Sequence, residues 1–429
     1  MSEPAAAARF AVLKGLPLAL LLALLLQSCT PWSLLKGESL QVMVVTQRKL
    51  AWLKRSSPIQ RLLLPLLTEF QRLHPNVPVS VITVSEDDLV QELRVRTSRG
   101  LGPDLILVRA PMANTLLQRG LISPLPNSPE IKASERQVHP RFLARVRLPE
   151  GLSGMPVVDE VTLSCYNRAK IPEPPTTTSQ LMALAASGRT VGLSIDPYGL
   201  WWTTGTMGAD QVLTSILLGE SQGLTPEVLA QQETTIAAWL AWLRGLALQS
   251  RVDLASGPEE LTFGLISGRL DWIPCFSLTL STLKEGMKDR LGVAPLPGGS
   301  GGPASPFNTL KVWAFGLDSS ASQRRNALAL AQLSIDPTLQ RRYVLESQEV
   351  LPVNTFVQTP VASSGVLAAL AAAQAQYEAG SPLLNHPFSV DHLTTVSHQL
   401  EGVVQQVMVG LLNPQEGARA IMRLREQAP

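Results

Sequence analysis

The chain has 429 residues, of which 45% are hydrophobic and 16% charged, and its formal net charge is +2 at pH 7. That length allows two sizeable cores on a scale of roughly 100–200 residues per domain, and the composition is that of an ordinary globular protein. Lys and Arg nearly balance Asp and Glu, which excludes the electrostatic footprint of a nucleic-acid binder and favours a ligand without large charge. The prolines are dispersed between periodic segments as turn punctuation, and no internal repeat is evident.

The N-terminus comes first in chain order. Arg9 and Lys14 precede the apolar run Leu16–Leu26, which is too short to cross a hydrocarbon layer of ~30 Å as a permanent helix and matches a secretory signal. An uncleaved signal anchor is the alternative. Leu26-Gln27-Ser28-Cys29 resembles the lipobox of bacterial lipoproteins. The resemblance implies a signal peptide over residues 1–28, a lipid on Cys29, and a tether over 29–39. The protein would then be anchored by acyl chains in the periplasm or on the outer face of the cytoplasmic membrane.

Beyond the tether, strands and helices alternate. Leu40–Val45 is a short apolar strand, and Ile59–Leu73 carries helical spacing through Leu62, Leu63, Leu66, Leu67 and Phe70. Val79–Val84 follows as a second strand, then a helix from Asp87 to about Arg99 with Ser85 as N-cap. A third strand ends at Val108, and a helix runs from about Met112 to Arg119, closed by Gly120. This pattern predicts α/β architecture with a mainly parallel sheet, and ligands in such sheets bind at the carboxyl ends of the strands. Cys165 and Cys275 both lie in strand-like apolar runs. Buried free thiols are the simpler expectation; a bridge would need Cα atoms within ~7 Å, which spacing leaves open.

Several segments together carry a family resemblance. They are Glu69-Phe70 with His74–Val79, Gly102–Leu105, Gly120–Leu125, Leu152–Pro156 with Leu163 and Tyr166-Asn167, and Pro174–Thr177. Farther on come Phe263–Leu270, Val293–Gly299, and Val407–Gly410 with Asn413–Ala418. In this order and spacing, across nearly the whole mature chain, they resemble the family 1 extracellular solute-binding proteins, the maltose-binding group. The resemblance implies a periplasmic-binding-protein-like fold of two α/β lobes with hinge crossovers and a ligand cleft between them. The N-terminal lobe is expected over 40–155 plus 306–352 and the C-terminal lobe over 156–305 plus 353–429. Crossings are expected near Met155–Glu160, Pro297–Asn308 and Leu351–Phe356. Gly298–Gly302 fits a flexible connection or a plain surface loop equally.

A sugar site needs donors and acceptors for hydroxyls and aromatic faces for the ring. Asp196-Pro197-Tyr198, followed by Trp201-Trp202, resembles a ligand-contacting turn of the maltose-binding subfamily. If the segment is a strand, adjacent tryptophans cannot both face one core, which would expose one to the cleft; packing on opposite sides of a helix is the alternative. Asp159 and Glu160 sit beside the first crossover, Glu160 matching an acidic contact of the subfamily. Gln47 and Arg48 follow the first strand, and Arg109 and Asn114 follow the third, in a loop that departs from the subfamily pattern. Phe276 and Ser277 end the strand after the Gly268 turn. Trp52, Trp242 and Trp313 are assigned mostly to packing.

The chain lacks Gly-x-Ser-x-Gly, His-Glu-x-x-His, Cys-x-x-Cys and phosphate-loop signatures, and its five histidines are scattered. No catalytic group, cofactor or metal is therefore expected. The expected partners are a small-molecule ligand, a sugar or polyol; the permease subunits of an ABC importer; and the membrane through Cys29. The protein would be a monomer that does not bind nucleic acid. Alternatives are a polyamine, phosphodiester or metal-chelate binder of the same fold and, more remotely, an exported glycosidase. The last needs two carboxylates about 5–10 Å apart, which Asp159 and Glu160, on opposite faces of a strand, supply poorly.

Overall fold

The structure, a computed structural model, describes residues 39–46, 58–195, 197–220, 222–380 and 390–427. Cys29, Gln47, Arg48, Trp52 and Asp196 lie outside the described residues. Among the described residues thirteen strands are formed: β1 Leu40–Thr46, β2 Val79–Ser85, β3 Leu105–Arg109, β4 Arg147–Leu148, β5 Gly151–Leu152, β6 Met155–Glu160, β7 Thr162–Asn167, β8 Val191–Ser194, β9 Val252–Ala255, β10 Trp272–Phe276, β11 Leu291–Ala294, β12 Thr309–Phe315 and β13 Leu351–Pro352.

They assemble into a sheet ordered β13-β6-β12-β3-β1-β2, a second ordered β11-β7-β10-β8-β9, and the β4-β5 hairpin. In the first sheet β12 and β13 run against the other four strands; in the second only β7 is reversed. β1 is buried along nearly its whole length, as a parallel strand covered on both faces must be. Helix Pro58–Leu73 turns Leu63, Leu66 and Phe70 into the core beneath it. Helix Glu86–Thr97 starts where expected, with the Ser85 hydroxyl accepting from the Asp88 amide at 3.2 Å. Its first turn is acidic and its last carries Arg94 and Arg96, charges that suit the two ends of the helix dipole.

The second sheet is packed on both faces. One core gathers Trp202, Trp239, Leu240 and Trp272; the other gathers Leu163, Cys165, Leu265, Ile273 and Leu283. Cys165 and Cys275 are bridged across β7 and β10 with Cα atoms 5.8 Å apart, which corrects the expectation of free thiols. The two strands pair antiparallel and bring the cysteines onto one face as diagonal neighbours, a placement invisible in sequence spacing. Such a bridge fits an exported protein.

Among the described residues three passages connect the sheets. The first is the single residue Val161, between β6 and β7; the second spans 295–308, between β11 and β12; the third follows β13 toward helix Gly365–Gly380. Gly298–Gly302 is neither a free linker nor an open loop. A Cβ on Gly299 would overlap the Thr206 carbonyl oxygen, and one on Gly301 the Gly208 amide, so the glycines allow close packing against helix Trp202–Thr206. Helix Val390–Met408 lies against both Ala110–Gln118 of the first lobe and Pro197–Leu200 of the second.

Candidate functional site

The parallel strands of the two sheets end toward each other. Arg109 and Glu160 close β3 and β6 on one side, with Thr309 opening the reversed β12 beside Glu160. On the other side Ser194 and Phe276 close β8 and β10, with Thr162 opening β7 opposite Phe276. Val161 joins these edges, held by the Ser277 amide donating to its carbonyl at 2.9 Å and by its own amide donating to the Ser277 hydroxyl at 3.2 Å. The crevice at the carboxyl ends of the strands is where an α/β sheet offers a ligand site.

Charged side chains gather along this edge in pairs. The Lys311 Nζ lies 3.4 Å from the Glu160 Oε1, with the two side chains 9% and 7% exposed. Register explains the pairing: Lys311 faces Val158 across the ladder, so Glu160, two residues on, projects from the same face as its diagonal neighbour. Lys311 is also opposite Arg109, whose guanidinium forks onto Glu86 at 2.5 and 2.9 Å.

Asp159 projects from the other face of β6. Its carboxylate stands 3.5 Å from the Arg145 guanidinium, and Arg145 also donates to the Asn308 carbonyl at 2.9 Å. Asn308 in turn accepts from the Thr162 amide at 3.1 Å, tying the second passage to the first. Burial pushes the Asp159 carboxyl up to about 6, against the lowering influence of Arg145 and Arg141. The edge as a whole is balanced, since Arg109, Arg145 and Lys311 are matched by Glu86, Asp159 and Glu160.

The sequence-derived candidates separate on this geometry. Asp159, Glu160, Arg109 and Phe276 stand at the strand ends, and Phe276 is partly exposed. Ser277 is there too, but its buried hydroxyl clamps Val161. Asn114 is withdrawn from the cleft: its buried amide donates to the Arg145 carbonyl at 3.0 Å and accepts from the Ser153 hydroxyl at 2.6 Å. Tyr198 belongs to the short helix Pro197–Leu200.

The expectation that Trp201 or Trp202 opens to the cleft is corrected. The segment is helical, and both indoles are buried in the second core. Trp202 packs against Trp272, and Trp201 against Phe307 at a centroid distance of 5.1 Å. Trp201 therefore backs an aromatic ring without reaching the cleft itself, and Phe307, partly exposed in the second passage, is the ring it supports.

Sequence reasoning missed Lys311, Arg145, Asn308 and Phe307. Lys311 did carry a signal, as the one charge in the otherwise apolar strand Thr309–Phe315, because a lysine is buried there only if paired. Arg145 carried none, since only the approach of its helix to β6 gives it a role. Among the described residues no cluster of three or more His, Cys, Asp or Glu is arranged to hold a metal, and no helix is long and apolar enough to cross a membrane.

The model of a family described as bacterial extracellular solute-binding protein matches residues 66–374. Among solved structures, the GacH receptor of Streptomyces glaucescens, determined without ligand and with acarbose, superposes with a TM-score of 0.67 at 15% identity, covering 91% of this chain and 100% of that one. The maltose-binding periplasmic protein of Listeria monocytogenes, in complex with maltose, gives 0.68 at 17% identity over 91% and 97%. The maltose-maltodextrin binding protein of Alicyclobacillus acidocaldarius gives 0.65 at 17% over 91% and 100%. At such identities the likeness establishes the two-lobed fold. No curated protein matches the chain.

Proposed function

The chain belongs to the bacterial extracellular solute-binding protein family, and from that premise we propose that it captures a sugar or glycosylated polyol by lobe closure and delivers it to the permease of an ABC importer. The observation that carries the sugar reading is the composition of the strand-end edge. The ion pairs Arg109–Glu86, partly exposed, and Lys311–Glu160, buried, cancel in charge while offering both donors and acceptors, and Phe276 and Phe307 supply partly exposed aromatic rings. Hydroxyl-rich neutral ligands are held by such a mixture, because charged groups make the stronger hydrogen bonds and ring faces cover C–H patches. Structural neighbours that bind maltose and acarbose support the same reading.

Among the expected contacts, we assign ligand binding to Glu160, Arg109 and Phe276 together with Lys311 and Phe307, and retain Gln47, Arg48, Asp196 and Tyr198 as candidates. Asp159, Asn114 and Ser277 support the hinge, Trp201 backs the aromatic wall, and Trp202 fills the second core. Capture of this kind needs no catalytic group, cofactor or metal. A lipid on Cys29 would hold the protein, as a monomer, at the outer face of the cytoplasmic membrane. Cys29→Ser should then abolish palmitate incorporation and release the protein from the membrane.

The test is a thermal-shift and calorimetric screen of the protein against maltodextrins, disaccharides, glycosylated polyols, spermidine and a glycerophosphodiester. A true ligand at a hundredfold excess over its dissociation constant stabilises the folded state by about 2.7 kcal/mol. Stabilisation by polyamine or phosphodiester alone would keep solute capture and overturn the sugar assignment.

A further inference from the structure

The first sheet has a second edge, opposite the cleft, where β1, β2, β3 and β6 begin and β12 ends. Ser39 enters β1 at this edge, and its carbonyl accepts from the Gln323 side-chain amide at 3.2 Å. Cys29 lies ten residues upstream in the sequence, a stretch that reaches at most about 35 Å when fully extended. A lipid on Cys29 therefore keeps this edge, and not the cleft, next to the membrane.

The helices supply its charge. Pro58–Leu73 and Glu86–Thr97 run back from the cleft and finish here, and helix Ala321–Ser334 starts here after β12. They bring Arg72, Arg94, Arg96, Arg99, Arg324 and Arg325 to one end of the lobe. Arg72 and Arg96 are matched on their own helices by Glu69 and Glu92, each at 2.6 Å. Arg94, Arg99 and Arg325 are exposed and make no ion pair among the described residues. Asp318 is exposed between them, whereas Asp104 is buried and turned inward, accepting from the Gln41 amide and the Ser319 hydroxyl at 2.7 Å each. Positive charge exceeds negative along these helix ends. Leu73, Leu101 and Leu317 project from the same edge and are exposed. The loops that carry the last two are adjacent, since a Cβ on Gly102 would lie 3.0 Å from the Asp318 carboxylate.

We propose that this edge is a docking face for the anionic phospholipid surface of the membrane that holds the protein. The proposal rests on lipidation of Cys29. Arginines can fork onto lipid phosphates while short apolar side chains between them enter the headgroup boundary. A basic patch beside an acyl anchor is the second signal that makes attachment stable. The seven residues of β1 span about 23 Å from this edge to the other. Docking would thus hold the cleft above the headgroups and turned to the solution, where solute arrives.

The test uses the full lipidated chain on vesicles of phosphatidylcholine, alone or with one third phosphatidylglycerol. Cys165 and Cys275 are bridged and the lipid occupies the Cys29 sulfur, so a donor dye can be placed at Ser98→Cys, beside Arg99. Ser250→Cys, exposed before β9 at the far end of the second lobe, is the control. Energy transfer to an acceptor lipid should rise with phosphatidylglycerol for the Ser98→Cys donor and stay low for the Ser250→Cys donor. It should fall in about 1 M salt, where charges are screened beyond about 3 Å. Each arginine favours an anionic surface about fivefold, so Arg94→Gln, Arg99→Gln and Arg325→Gln together should lower the docked-to-undocked ratio about a hundredfold. Transfer that is equal on the two vesicles, unchanged in the triple variant, or higher from the Ser250→Cys donor overturns the proposal. The anchor is read separately, by flotation with phosphatidylcholine vesicles alone. Protein that floats only with phosphatidylglycerol, in an arginine-dependent way, keeps the docking face and overturns the lipid on Cys29; protein that floats with neither overturns both.

Discussion

The Glu160–Lys311 pair is where removal of single groups should speak most clearly. At 3.4 Å and an effective dielectric of 20, Coulomb attraction between the two charges is about 5 kcal/mol. Drying both groups to less than a tenth of their exposure cancels most of that gain, so the intact pair adds little net stability. Taking away one partner is different, because the other charge remains buried. Lys311→Met and Glu160→Gln should each cost about 3–5 kcal/mol, while the double substitution should return to within about 2 kcal/mol of the native chain. The cycle would then show a coupling of about 4 kcal/mol or more. The assay is urea unfolding at pH 7 of all four proteins, with calorimetric affinity for the best solute of the screen. The refolded double variant should bind about ten- to a hundredfold more weakly, the loss of one charge-assisted hydrogen bond of about 1.5–3 kcal/mol. Additive single costs would refute the buried pairing. Native affinity in the double variant would make the pair structural and remove it from the site.

Burial of Asp159 also makes stability depend on pH. Its carboxyl is raised from 3.8 to about 6, so the folded chain binds more protons than the unfolded one between those values. Stability should therefore fall by about 2 kcal/mol as pH rises from 4 to 6 and level off above about pH 7, a full pH unit inside that window being worth at most about 1.4 kcal/mol, and Asp159→Asn should erase the slope in urea midpoints. Cys275→Ser opens a bridge between residues 110 apart and should cost about 3–5 kcal/mol, read as a lowered melting temperature that added reductant does not lower further. Trp202→Ala should cost about 3–5 kcal/mol of stability, because the indole fills the second core, yet leave the affinity of the remaining folded protein unchanged; a selective loss of affinity would return Trp202 to the cleft.

What could be read in advance depended on whether a feature was local. Ser85 begins its helix as expected because the cap needs only its own hydroxyl and the amide three residues on. The strand end before Arg109 was visible for the same reason, as an apolar run that stops, whereas Glu160 was singled out through the family resemblance and not through its strand. The insertion of β12 between β6 and β3 was not, since it joins segments some 150–200 positions apart, and with it went Lys311 and the ion pair at the cleft edge. The tryptophans show the opposite error, a local feature given the wrong period. Thr203, Thr204 and Thr206 each donate a hydroxyl hydrogen bond to the carbonyl three residues back, at 2.7, 2.8 and 2.7 Å, a bond that only a helical turn allows. With that period Trp201 and Trp202 diverge into the core from one turn, Trp202 toward Trp272 and Trp201 toward Phe307. Phe307, partly exposed in the second passage, is then the ring proposed for the cleft wall, and Trp201 packs behind it. On that proposal Trp201 acts on a solute only through Phe307, so its removal should be read first in stability and only then in binding.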